Sequence, residues 1–123
     1  MKVAGLDHVV LVVADVERSL AFYAGQLGLA PERLDQWRAG TAPFVSVRVD
    51  ATTVLDFQEG VRAGTNVDHV ALVIEDVDLD ELVASGEFDV VRGPARLWGA
   101  QGYGRGVYVT DPDGNVVELR VYE

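Results

Sequence analysis

The chain of 123 residues has no cysteine, which excludes a disulfide scaffold, a thiolate metal site, an iron–sulfur cluster and a cysteine nucleophile. Lys2 is its only lysine, and ten basic residues stand against 20 acidic ones, a net charge of −10. A surface this acidic repels phosphate backbones and anionic lipid, so neither nucleic acid nor a membrane surface is the expected partner. Long apolar runs are missing too. None approaches the ~18 residues of a membrane span, and Asp7 and His8 interrupt the apolar run a signal peptide would need. These absences lead to the expectation of a cytoplasmic protein with a small-molecule partner. Hydrophobic residues make up 49% of the chain, enough for the core of one domain spanning residues 1–123.

Internal repetition is the strongest positive feature. Asp7-His8-Val9-Val10-Leu11-Val12-Val13-Ala14-Asp15-Val16 aligns with Asp68-His69-Val70-Ala71-Leu72-Val73-Ile74-Glu75-Asp76-Val77, with seven of ten positions identical at an offset of 61. Val54-Leu55-Asp56-Phe57 falls on Val116-Val117-Glu118-Leu119 at an offset of 62. Each half therefore opens with an Asp-His strand and closes with a carboxylate in an apolar strand. The unit of about 60 residues is too small to stand well alone and buries its core by joining its twin. The two modules are placed at about 1–60 and 67–123.

Both halves show the same order of elements, strand–helix–strand–strand–strand. Residues 6–13 read as a strand. Asp15 is expected to cap a helix in which Val16, Leu20, Tyr23 and Leu27 recur at the helical period, ended by Gly28. Strands are expected near 30–38, 43–49 and 53–58. In the second half, 68–74 reads as a strand and Asp76 as the cap of a shorter helix through Leu79, Leu82 and Val83. Strands near 88–97, 106–110 and 116–122 follow, with a turn at Asp111-Pro112-Asp113-Gly114.

The chain has only two histidines, and they occupy equivalent places in the repeat. Even spacing puts His8 on the strand face of Val10 and Val12, and His69 on that of Ala71 and Val73. A lone histidine in an apolar strand is usually a packed residue, but two related by a pseudo-twofold axis would face one cleft. The matching acids, Asp56 and Glu118, sit in strands that read as buried, where an unpaired carboxylate is costly unless it binds a cation or accepts hydrogen bonds. Neutral imidazoles with anionic oxygens suit a divalent first-row metal with open positions. A hydrogen-bond network alone is the alternative.

Leu6-Asp7-His8-Val9-Val10, Asp15-Val16-Glu17-Arg18-Ser19-Leu20-Ala21-Phe22-Tyr23, Leu27-Gly28-Leu29, Asp68-His69-Val70-Ala71-Leu72 and Asp111-Pro112-Asp113-Gly114-Asn115-Val116-Val117-Glu118-Leu119 together resemble the vicinal oxygen chelate superfamily. That superfamily holds glyoxalase I, extradiol dioxygenases and bleomycin-resistance proteins. The resemblance covers nearly the whole chain. It implies an α+β fold of two pseudo-twofold-related βαβββ modules forming an incomplete mixed-sheet barrel, assembled as a homodimer. It also implies a divalent metal ion (Zn, Ni, Fe, Mn or Co) bound by His8, His69 and Glu118. The fourth ligand position falls on Asp56, where glyoxalase I has a longer glutamate, so Asp56 is expected to act through water or by orienting a neighbour.

Two functions follow from this resemblance. One is a metal-dependent enzyme, a lyase/isomerase or dioxygenase, acting on a small oxygenated metabolite held through vicinal oxygens, with Glu118 moving a proton. The other is metal-free sequestration of a drug or metabolite, as bleomycin-resistance proteins perform. Trp37, Arg38, Phe44, Arg48, Trp98 and Tyr103 are candidates to line a pocket for an aromatic or anionic substrate, against ordinary packing for the aromatics. Arg48, mid-strand between valines, needs solvent or an anion. The glycine-rich stretch 99–106 leads into a strand, so it is a flap or a connector and not a phosphate-cradling loop. The acidic run 75–81 lacks the glycine and ligand spacing of a Ca²⁺ loop.

Overall fold

A computed structural model describes residue 6 and residues 8–65, 67–99 and 102–123, with backbone alone for Trp98, Gly99 and Gly102. Asp7 of the repeat, Ala100 and Gln101 of the glycine-rich stretch, and the Trp98 side chain lie outside the described residues. The chain divides into two compact units, Met1–Asn66 and Val67–Glu123.

The first unit is one four-stranded mixed sheet in the order β1-β4-β3-β2, comprising β1 (His8–Val13), β2 (Ala30–Glu32), β3 (Val45–Arg48) and β4 (Val54–Glu59). β1 runs parallel to β4, while β3 is antiparallel to both its neighbours. Alternation along β1 separates its faces: Leu11 and Val13 are wholly buried, whereas His8 and Val10 are exposed. Asp15 caps α1 (Val16–Leu20) by accepting from the Arg18 backbone N–H at 3.0 Å. The helix then widens to a π-helical turn over Ala21–Gln26. Gly28, at φ +73°, turns the chain away after it. Val16, Leu20 and Tyr23 are buried, and the Tyr23 and Phe57 rings lie 5.0 Å apart. Leu11, Val45, Val47, Leu55 and Phe57 fill the same core from the sheet.

The strand expected at 30–38 is shorter than its composition suggests. β2 stops at Glu32, Arg33 turns at φ +58°, and Leu34–Arg38 forms a short helix, α2. Trp37 and Arg38 therefore sit on a helix and not on a strand. Arg38 makes a two-pronged pair with Glu17 of α1, both contacts at 2.8 Å. The hydrogen bond from Arg38 holds the Glu17 carboxyl below its ordinary pKa. That pairing across the two helices is a nonlocal contact, which strand propensity does not carry.

The second unit repeats the arrangement, with sheet order β5-β8-β7-β6. Its strands are β5 (His69–Val73), β6 (Val90–Gly99), β7 (Gly102–Thr110) and β8 (Val116–Tyr122). The cap of α3 (Leu79–Ala84) is Asp78, which accepts from the Asp80 and Glu81 backbone N–H groups, and not Asp76 as the repeat suggests. Asp76 adopts φ +55° and turns the chain out of β5 instead. Leu72, Leu79, Val107, Val109, Val117 and Leu119 form the core of this unit. The 99–106 stretch contributes its described part to strands: β6 and β7 pair along their length up to Gly99 and Gly102. The 111–114 turn forms as expected, with Gly114 at φ +76°. The Asp111 carboxylate accepts from the backbone N–H groups of Asp113 and Asn115 at 2.9 and 2.8 Å. Both sheets are open four-stranded mixed sheets and neither closes into a barrel.

Candidate functional site

Strand register decides which polar side chains share a face, because directly paired residues point the same way. In the first unit, Val10 pairs with Asp56, Asp56 with Ser46, and Ser46 with Glu32. These four make one row across the sheet, on the face opposite the helix. His8 pairs with Val54 and Val54 with Arg48, which makes the adjacent row. His8 and Asp56 are therefore diagonal neighbours on one face. Asp56 is only 7% exposed, and the Ser46 hydroxyl donates to its Oδ1 at 2.5 Å.

In the second unit, Ala71 pairs with Glu118, Glu118 with Tyr108, and Tyr108 with Arg92. His69 is diagonal to Glu118, as His8 is to Asp56. Glu118 and Arg120 are both 4% exposed. Arg120 follows Glu118 by two residues and shares its face, and its Nη1 donates to Glu118 Oε1 at 2.9 Å. Its Nη2 donates to the Leu97 carbonyl at 3.2 Å. Gly106, paired with Arg120, leaves the room for this: a Cβ there would stand 3.0 Å from Glu118 Oε1.

The second carboxylate oxygen of Glu118 has a different neighbour. His69 Nε2 stands 3.6 Å from Glu118 Oε2, beyond hydrogen-bond range. On its other side, His69 Nδ1 is 2.7 Å from Asp68 Oδ2. An ionised carboxylate only accepts, so in the neutral ring the Nδ1–H donates to Asp68 and Nε2 presents a lone pair to Glu118. In that tautomer two acceptors face each other across the gap, which is relieved by a cation between them or by a second proton on the ring that Nε2 then points at Glu118. Bonds of about 2.0–2.2 Å from each to a metal ion would bridge the gap. A carboxylate behind a metal-binding histidine is also the usual way its tautomer is set. The donor chemistry of His69 and Glu118 thus fits a divalent first-row ion, with Arg120 on one Glu118 oxygen and His69 near the other. Among the described residues, neither unit gathers three His, Asp or Glu side chains placed to hold an ion.

Tyr108 packs edge-on against His69, with ring centroids 5.6 Å apart. Burial first, then the Glu118 charge beside it, pushes its phenol pKa up, so the hydroxyl stays protonated and able to donate. The Arg92 guanidinium lies 5.4 Å over the same ring.

The pocket candidates are placed differently. Arg48 does have its anion, and it is internal: Glu32 on the neighbouring strand, at 2.5 and 3.0 Å. The hydrogen bond from Arg48 lowers the Glu32 pKa. Phe44 is half-buried under Arg33, whose guanidinium carbon is 4.4 Å from the ring centroid. Trp37 is half-buried on α2. Tyr103 lies near the β6–β7 hairpin end, five residues or about 16 Å along the strand from Tyr108, with Arg96 stacked 3.8 Å over it. Register thus keeps Tyr103 out of the Glu118 row. Tyr108, Arg120, Arg92 and Ser46 were not foreseen. Only Arg120 had a local signal, since a charge two residues from a buried acid in a strand shares its face.

Paired βαβββ units carrying a histidine on the first strand and an acid on the last define the class of protein. Residues 5–119 match the Glyoxalase/Bleomycin resistance protein/Dioxygenase superfamily, and the chain belongs to it. A virulence protein of Salmonella typhimurium is 26% identical over 121 residues, covering 95% of this chain and 83% of that protein. An integron cassette protein from the mobile metagenome of V. cholerae has a TM-score of 0.79 at 26% identity, over 100% of this chain and 98% of the other. The oxidase ChaP-H1 is 29% identical with a TM-score of 0.67, over 98% of each chain. The superfamily includes enzymes. Among the described residues, no helix is long and apolar enough to cross a membrane.

Proposed function

We propose that this protein is a divalent-metal-dependent enzyme, a lyase/isomerase or dioxygenase, acting on a small oxygenated metabolite held through vicinal oxygens. The observation that carries this reading is the approach of His69 Nε2 to Glu118 Oε2 at 3.6 Å, with Asp68 held against the other ring nitrogen. His8, His69 and Glu118 are the proposed ligands of Zn, Ni, Fe, Mn or Co, and Asp56 acts through water or by orienting a neighbour. A bound ion would supply Lewis acidity to two neighbouring substrate oxygens. The chain's own residues do the rest. Asp68 orients His69, and Arg120 anchors Glu118 Oε1, which leaves Oε2 either to hold the ion or, when not bound to it, to take a proton from carbon. The Tyr108 ring walls one side of His69. Ser46 engages Asp56 Oδ1.

The buried Arg120 favours a second reading. Its guanidinium already neutralises Glu118, as a protein that sequesters a drug or metabolite without metal would require. Metal analysis after purification without chelator, followed by calorimetric titration with Zn²⁺, Mn²⁺, Co²⁺ and Ni²⁺, separates the two. About one ion per chain is expected. Less than about 0.1 per chain, with no binding on reconstitution, would favour sequestration. The same samples should sediment as a homodimer, held by an interface above about 1,000 Å². A monomer at micromolar concentration would overturn that part.

A further inference from the structure

Arg92, like Arg33 on Phe44, lies over an aromatic ring and outside the ion pairs that hold five other arginines, and unlike Arg33 it stands in the row of Glu118. Acids outnumber bases two to one in this chain, 20 to 10. Arg38, Arg48, Arg96, Arg105 and Arg120 each hold a carboxylate oxygen within 3.0 Å. Arg92 has no carboxylate partner among the described residues, and its guanidinium rests on the Tyr108 ring.

Its position is built by the backbone. Val90 pairs with Val109, a core residue, and strict alternation would put Arg92 on that same covered face. The register slips by one residue between Val90 and Arg92, so Arg92 pairs with Tyr108 and joins the open-face row of Glu118. A bulge that re-aims a side chain is a recurrent device beside active sites. Gly93 then takes φ +90°, and a Cβ there would lie 2.7 Å from the Gly106 carbonyl oxygen, so only glycine fits. The equivalent place in the first unit, at the end of the row Val10–Asp56–Ser46, is Glu32, already paired with Arg48. The repeat has therefore inverted the charge at one position and provided that charge with no internal counter-ion among the described residues.

We propose that Arg92 is a specificity-determining residue that binds an oxyanion of the substrate, a carboxylate or a phosphate, at the end remote from His69 and Glu118. The inference rests on the proposed function for the chelated end, and it makes the substrate an anionic oxygenated metabolite. Arg92 lies two strands from Glu118, about 10 Å between backbones, so a short-chain acid spans the row. A guanidinium fork already oriented on an aromatic face recognises such a group with two parallel hydrogen bonds.

The test uses the full-length ¹⁵N-labelled protein titrated with succinate and, separately, with inorganic phosphate, at ionic strength matched with NaCl. The Arg92 Nε–Hε resonance should shift and saturate with at least one probe, and the responding probe tells carboxylate from phosphate. Arg92→Gln should weaken that binding by about tenfold or more, and Arg92→Lys by less, with Tm and Zn²⁺ binding unchanged in both. A non-saturating shift in the wild type with both probes overturns the proposal. So does an Arg92→Gln variant that binds as the wild type does. Calorimetry with Zn²⁺ on the same wild-type sample keeps the two readings apart. Absence of Zn²⁺ binding with anion binding intact removes the metal enzyme and leaves the Arg92 site, whereas the converse removes only the Arg92 site.

Discussion

Arg120→Met is expected to destabilise the protein by about 3–5 kcal/mol, lowering Tm by about 10–20 °C. Both members of the Arg120–Glu118 pair are 4% exposed, and removing the cation leaves a carboxylate out of water without its partner. The Leu97 carbonyl loses a donor in the same step. Thermal unfolding of the single variants and of Glu118→Leu/Arg120→Met measures the effect. The double variant should recover most of the loss, because a buried ion pair replaced by apolar groups of similar volume is often nearly neutral. A cost below about 1 kcal/mol for Arg120→Met would mean that the pair is solvated and not the buried contact described. The folded variant should also bind Zn²⁺ more tightly than the wild type, since the cation competing for Glu118 is gone.

Glu118→Gln should lower metal affinity by more than about 100-fold, and Asp56→Asn by about 10–100-fold. The repeat makes these acids equivalent, but their surroundings differ. Glu118 Oε2 faces His69 Nε2, and its strand is held in register by the 111–114 hairpin. Asp56 is one methylene shorter, and Ser46 engages its Oδ1. Glutamine keeps the volume of Glu118 and an acceptor for Arg120, so its stability should fall less than that of Arg120→Met. Calorimetric titration of both variants decides the matter. A full loss on Asp56→Asn with Glu118→Gln unaffected would reverse the two roles. No effect from either would remove the metal altogether and leave a pocket that binds by packing and hydrogen bonds.

The parts of this protein that local sequence determines are those with a short-range cause. Asp15 and Gly28 bound the first helical segment because a cap and a left-handed turn act within a few residues. The 111–114 turn forms because an aspartate accepts from its own following backbone. Period-two alternation put His8 with Val10 and His69 with Ala71 on exposed faces, opposite the buried Leu11 and Leu72. The repeat revealed the two units and made His8, Asp56, His69 and Glu118 equivalent in pairs.

What lay beyond the sequence depends on contacts between distant segments. Residues 34–38 form a helix, with Arg38 paired to Glu17 some 21 positions earlier. Arg48 is answered by Glu32 across a strand pair, which no spacing rule predicts. Asp78 replaces Asp76 as the cap because Asp76 turns the chain first. Above all, the row Glu118–Tyr108–Arg92 exists only through register. One extra residue in β6 moves Arg92 from the covered face to the open one, and a pattern that repeats every two residues carries no record of such a slip. Composition and periodicity therefore set which residues could do chemistry in this protein, while strand register, a purely tertiary quantity, decided which of them stand together.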